Sequence, residues 1–180
     1  LYKNDPLLTY LDLSSKVGSP AAVSHLTRAL CTNSVVTRLS LEHSRIGDDM
    51  CAVIAAALQA NSTLLLLNLA NNNVGSVGAG HIAQGLRSNI TLLELNLNRN
   101  SLNDAAVECL ITEGMAHNWT LTALHLSFNH IEERGALSVS RLLKGAANFS
   151  TPSPVALVEL QGCSYGTESL FNIAQSLLLQ

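Results

Sequence analysis

The sequence predicts an α/β fold: a right-handed solenoid, or horseshoe, of about six repeats, with a concave parallel β-sheet and convex helices. Three observations carry this. The chain repeats in steps of 28 or 29 residues, and the second leucines of five L-x-L pairs are Leu13, Leu41, Leu69, Leu97 and Leu126. Each unit switches period within itself, from two-residue alternation to helical spacing. A strand with one helix cannot bury its own apolar face, whereas a stack of such units can. Neighbouring strands lie about 4.8 Å apart and packed helices about 8–10 Å apart, so stacking both once per unit curves the stack.

The units follow in order. The first carries its pair at Leu13. The second, "LSLEHSRIGDDMCAVIAAAL", alternates around Leu39 and Leu41, closes a turn with Ile46, then places Met50, Ile54, Ala57 and Leu58 at helical spacing. The third, "LNLANNNVGSVGAGHIAQGL", does the same with Leu67, Leu69 and Val74, then Ala79, Ile82, Ala83 and Leu86. The fourth and fifth, "LNLNRNSLNDAAVECLITEGM" and "LHLSFNHIEERGALSVSRLL", close their turns with Leu102 and Ile131. A weaker sixth copy, "LVELQGCSYGTESLFNIAQSLL", puts Gly162 in the leucine position after a step of 36. Its longer step reflects "KGAANFSTPSP" (144–154), eight residues beyond the norm, whose Pro, Ser and Gly content reads as a loop.

The pattern L-x-x-L-x-L-x-x-N-x-L, here "LLLLNLANNNV" (64–74) and "LLELNLNRNSL" (92–102), resembles the leucine-rich repeat. The 28–29-residue period with a full helix is similar to the ribonuclease-inhibitor-like subfamily. The resemblance spans essentially the whole chain, with Lys16, Ser44 and Tyr165 departing from it at the asparagine position. It implies a protein-interaction scaffold. Families of this kind include ribonuclease inhibitors, sensor regions of innate-immune receptors, actin regulators, flagellar regulatory proteins and Ran GTPase activators. The last supply an alternative, a regulator that stimulates GTP hydrolysis on a partner.

Composition narrows the classes further. The chain is 47% hydrophobic and 13% charged, which excludes disorder, and 4% aromatic, so Leu, Ala, Val and Ile must build the core. A net charge of -3 gives no reason to expect nucleic acid or an anionic membrane as partner. No apolar run approaches the roughly 20 residues of a membrane span, and no basic-apolar leader opens the chain. Cys31, Cys51, Cys109 and Cys163 form no CxxC pair, and read as free, buried thiols in a reducing, cytoplasmic compartment. Residues 1–180 read as a single domain. Its ends, "LYKNDPLLTYLDL" and "AQSLLLQ", carry no polar cap, which predicts a longer parent repeat protein, a covering partner or end-to-end self-association.

Several local motifs suggest chemistry that the repeat explains away. Gly75, Gly78 and Gly80 follow a strand and open a helix, as in a phosphate loop. However, Gly78 aligns with Met50, Ala106 and Gly135, a slot where a small residue lets helix and sheet approach, and GxGxxG is absent. Four N-x-S/T sequons sit at Asn61, Asn89, Asn118 and Asn148; with Asn33, the first three recur at the repeat spacing where each helix ends. A left-handed helix-closing asparagine accounts for them. Asn72, Asn100 and Asn129 share one repeat position and read as buried amides that satisfy turn backbone. The six histidines make no metal spacing and no G-x-S-x-G occurs. The chain therefore reads as a non-enzyme, with no cofactor and no small-molecule substrate evident.

Function then rests on strand residues that alternate with the core leucines and so line the concave side. These are Tyr10, Asp12, Arg38, Ser40, Glu42, Leu66, Asn68, Glu94, Asn96, Asn98, His125, Ser127, Glu159 and Gln161, with His43, Asn71, Arg99 and Phe128 on the adjoining turn. Tyr10, Asp12, Arg38, Glu42, His43, Asn68, Asn71, Glu94, Asn96, Arg99, His125 and Phe128 are the candidate protein-binding set. Phe128, a large aromatic in a solvent-facing turn, reads either as an anchor or as packing along the turn.

Overall fold

Alternating leucines give each unit one short strand, and the following apolar positions at helical spacing give it one helix. A computed structural model describes residues 4–144, 154–168, 170, 171 and 173. The chain runs β1 (Tyr10–Asp12), α1 (Pro20–Leu30), β2 (Arg38–Ser40), α2 (Gly47–Ala60), β3 (Leu66–Asn68) and α3 (Ser76–Ser88). It continues as β4 (Glu94–Asn96), α4 (Asp104–Cys109), a π turn (Leu110–Gly114), a 3-10 turn (Met115–His117), β5 (Ala123–His125), α5 (Glu133–Leu143) and β6 (Leu157–Glu159). The described strands form one parallel sheet in chain order, β1 to β6. The fold is an α/β solenoid.

Register places Leu11, Leu39, Leu67, Leu95, Leu124 and Val158 in one cross-strand row. The row points into the core, where Leu39, Leu67, Leu95 and Leu124 are fully buried beneath Ile54, Ile82 and Leu110. Helices approach each other through small residues. A Cβ on Gly85 would press against the Ala55 backbone, and one on Gly114 against Ala83.

The sixth unit corrects the expected register. Leu124 pairs with Val158, so Leu160, not Gly162, stands where Leu126 stands one unit earlier, and the inserted loop adds six residues rather than eight. Cys163 rather than Tyr165 then takes the asparagine position. Its Sγ donates to Leu126 O at 3.6 Å, and Tyr165 packs on the core instead. Residues 145–153 of the loop, and Asn148 with its sequon, lie outside the described residues. The 29-residue step between the fourth and fifth units has its own cause. The extra residue falls inside the fourth helix, where the π turn Leu110–Gly114 absorbs it as one widened turn.

Two asparagine ladders run along the stack. In the first, Asn100 Oδ1 accepts from Asn72 N and Val74 N at 3.0 and 2.9 Å, while its Nδ2 donates to Leu69 O and Leu97 O at 3.0 Å each. Asn72 and Asn129 repeat this pattern. The second ladder is Asn33, Asn61, Asn89 and Asn118, and it corrects the left-handed expectation: Asn61, Asn89 and Asn118 have φ of -88°, -79° and -105°, all extended. Asn89 Oδ1 accepts from Thr91 N and Leu92 N, and its Nδ2 donates to Leu58 O at 2.7 Å. Asn4 closes the series by accepting from Asn33 Nδ2 at 2.9 Å. Asn61, Asn89 and Asn118 are 6%, 3% and 3% exposed. The Nδ2 atom a glycan would occupy is thus buried and already donating at all three sequons.

The helix starts are tied together as well. Asp48 Oδ1 accepts from Gly75 N at 2.6 Å, Asp104 Oδ1 from Glu132 N at 2.7 Å, and Glu133 Oε2 from Gly166 N at 2.8 Å. The N–H that a phosphate would need at Gly75 is therefore held by a carboxylate. A Cβ on Gly78 would collide with Asp48 and Val74, so its smallness serves the preceding unit's carboxylate rather than an approach to the sheet.

The thiols correct another expectation. All four cysteines are free, but only Cys51 is buried; Cys31 is exposed and Cys109 and Cys163 are intermediate. Burial, then the Asp48 carboxylate, pushes the Cys51 thiol from 9.0 up to about 12. Burial also raises Cys109, with Glu113 adding to it. Because the thiolate is the nucleophile, iodoacetamide is expected to modify Cys31 first and Cys51 only on unfolding. The folded pKa of Cys51 lies above its unfolded value, so its contribution to stability is whole below pH 9 and is lost as pH rises from there toward 12. A Cys51→Ala chain should therefore lose less stability above pH 9 than wild type, read by denaturant titration at successive pH values.

Candidate functional site

The concave side is built in rows because the strands pair in register. Tyr10, Arg38, Leu66, Glu94, Ala123 and Leu157 form one row, and Asp12, Ser40, Asn68, Asn96, His125 and Glu159 the next. The candidate residues on these strands are thus brought to one surface. Ser40 and Ser127 are exceptions: both are buried, Ser40 Oγ lying 2.8 Å from Ser14 Oγ and Ser127 Oγ accepting from Gln161 N at 3.0 Å. Alternation places a residue on a face, but neighbouring side chains decide whether water reaches it. Ala123 and Leu157 belong to the first row and are absent from the candidate set. Adding one repeat step to Glu94 reaches Ala123; Leu157 is hidden by the register expected for the sixth unit.

Most carboxylates on this face are engaged within the chain. Glu42 accepts from Asn68 Nδ2 at 3.2 Å and Asn71 Nδ2 at 3.0 Å. Asp12 accepts from Ser14 N at 2.9 Å, and bonding to Ser14, aided by Lys16, holds its carboxyl below the usual range. His125 sits between two glutamates, Nδ1 2.7 Å from Glu159 Oε2 and Nε2 3.2 Å from Glu94 Oε1. The second approach makes no hydrogen bond, which leaves the buried Nε2 without a hydrogen-bond partner among the described residues. Asn96 Oδ1 accepts from Asn98 N, and Asn98 Oδ1 from Ser127 N. The floor is polar and internally braced.

The turn row has a backbone signature. Ser15, His43, Asn71, Arg99 and Phe128 have φ of 54–59°, and Gly162 follows at 70°. This left-handed conformation keeps each turn N–H in the sheet ladder: His43 donates to Ala70 O, Asn71 to Asn98 O, Arg99 to Ser127 O and Phe128 to Gln161 O, all at 2.7–3.0 Å. For a residue with a Cβ it costs about 1–2 kcal/mol, yet three of the five are bulky. The Arg99 guanidinium carbon lies 4.3 Å from the Phe128 ring centroid, a cation–π contact, and the ring, 41% exposed, lies over Gly162. Phe128 therefore both packs along the turn and faces solvent. A Cβ at Gly162 would collide with that ring. Gly162→Ala is expected to lower stability by about 1–2 kcal/mol from the backbone alone and to displace Phe128, seen in a melt and in ring-proton shifts.

Two hollows border this surface, one on the strands and one beyond the turn row toward the start of α5. One of about 280 Å³ lies between Tyr10, Arg38, Ser40, Leu66 and Asn68. The other, about 310 Å³, is lined by Phe128, Asn129, His130, Glu132, Gly162 and Ser164. Among the described residues no three His, Cys, Asp or Glu side chains come together as a metal site, and no helix is long and apolar enough to cross a membrane.

The family model of the TMOD/LMOD leucine-rich domain matches residues 1–143. The chain belongs to this leucine-rich repeat family. Solved structures agree at the level of fold. The match to actin-binding site 2 of leiomodin-1 covers 99% of this chain and 83% of that one, at TM-score 0.56 and 19% identity. The match to the C-terminal domain of Caenorhabditis elegans tropomodulin covers 99% and 87%, at TM-score 0.58 and 11% identity. No curated protein sequence matches. The TMOD/LMOD leucine-rich domain thus supplies the α/β solenoid on which the concave rows are mounted.

Proposed function

We propose that this domain is a non-catalytic scaffold that binds actin through its concave sheet and adjoining turns, as one domain of a longer cytoplasmic protein. The observation that carries the reading is the family match over residues 1–143, and the likeness to actin-binding site 2 of leiomodin-1 supplies the partner. The contact set is Tyr10, Asp12, Arg38, Glu42, His43, Asn68, Asn71, Glu94, Asn96, Arg99, His125 and Phe128. Strain supports the turn residues: Asn is comfortable left-handed, as at Asn71, so His43, Arg99 and Phe128 are retained for their side chains. The 28–29-residue period with a helix in most units favours a ribonuclease-inhibitor-like ancestry. Activation of a GTPase has no observation in its favour.

The test is co-sedimentation with filamentous actin and anisotropy titration with actin monomers. Wild type is expected to bind one of the two. An Arg99→Ala, Phe128→Ala double variant should bind about tenfold more weakly, near 1.4 kcal/mol, with melting nearly unchanged because both side chains are exposed. Absence of binding to both forms of actin, or equal binding by the variant, would overturn the reading.

A further inference from the structure

The hollow between Tyr10, Arg38 and Leu66 differs from the rest of the concave floor in its charge balance. Arg38 on β2 forms its wall, with the Tyr10 ring (55% exposed) on β1 and Leu66 on β3 on either side, and Ser40 and Asn68 complete the lining. No carboxylate lines it: the nearby Asp12 and Glu42 keep their charge but turn their oxygens to Ser14 N and to Asn68 and Asn71 Nδ2. Arg38 has no carboxylate within 4 Å among the described residues. A guanidinium between two apolar walls offers forked donors to one planar acceptor, and the walls offer burial to apolar carbons beside it.

We propose that this hollow takes an acidic side chain, flanked by an apolar one, from an extended segment of the protein partner. The inference rests on the concave face being the binding surface. The carboxylate pairs with Arg38, and the apolar neighbour lies on Tyr10 or Leu66. Ser40 Oγ already faces Ser14 and Asn68, so the floor is set before binding and little ordering is required of it. Acidic segments are selected over basic ones because Arg38 is the charged group that lines the hollow itself, and it has no ion pair among the described residues.

The probe is the blocked peptide Gly-Phe-Glu-Glu-Phe-Gly, with its Gln and Lys analogues, titrated into the amide-labelled domain at two salt concentrations. The expected result is shifts at Tyr10, Arg38, Leu66 and Asn68 for the Glu peptide alone, weakening as salt screens the pair. Arg38→Gln should weaken it about tenfold, Arg38→Lys less, and Arg87→Gln on the helical side not at all. Equal binding of the Gln peptide, shifts away from the hollow, or no effect of Arg38→Gln would overturn the inference. Actin binding is measured beside it. Actin binding without Glu-peptide binding leaves the scaffold reading standing and this subsite refuted; Glu-peptide binding at the hollow without actin binding does the reverse.

Discussion

Leu97→Asp is expected to abolish the cooperative melting transition. Leu97 is fully buried at the centre of the stack, and its N–H donates to His125 O, so it cannot turn outward without breaking the sheet. The substitution removes a large apolar side chain, worth about 2–5 kcal/mol, and buries a carboxylate with no partner, which costs several more. Together these approach the whole stability of a typical domain, about 5–15 kcal/mol. Solenoid units depend on their neighbours, so damage in the fourth unit should spread to both sides. Circular dichroism should show no sigmoidal transition. A melt within a few degrees of wild type would mean that the strand face assigned to the core is wrong.

Asn100→Ala should be nearly as damaging, although the residue is polar. It removes the acceptor for Asn72 N and Val74 N and the donor to Leu69 O and Leu97 O, all buried. Each buried group left unpaired costs about 1–3 kcal/mol, and partial repair by water or relaxation should leave a net loss of about 3–5 kcal/mol, within the range of large single-site effects. Asn71→Ala, one residue from the ladder position of the third unit, loses a surface bond to Glu42 and asparagine's tolerance of its left-handed φ of 56°, and should cost about 1–2 kcal/mol. Equal losses for the two variants in urea titrations would show that the ladder is not what holds the turns.

The contrast between those two asparagines marks where the sequence stops being readable. The period shared by Asn72, Asn100 and Asn129 shows that they do one job, and the job follows from backbone groups that a three-residue strand leaves unpaired. For Asn61, Asn89 and Asn118 the same regularity is visible, but it does not convey the conformation. Helix-end statistics favour a left-handed asparagine, whereas here the amide reaches across to the previous unit's carbonyls. A bond between residues about thirty positions apart leaves no local trace. Ser40 and Ser127 are similar: alternation assigns their face, but neighbours on adjacent strands bury them.

The sequence by itself determined the repeat, the alternation of strand and helix, and the leucines of the core. All three follow from periodic burial within one unit, and the identical units reinforce the signal. Tertiary structure alone decided the register of β6, where pairing of Leu124 with Val158 outweighs the nearer resemblance around Gly162. It also decided the π turn at Leu110–Gly114, since the sequence shows one extra residue but not which turn will widen. And it decided which concave side chains remain open to a partner, because that depends on contacts between strands whose residues lie a full repeat apart.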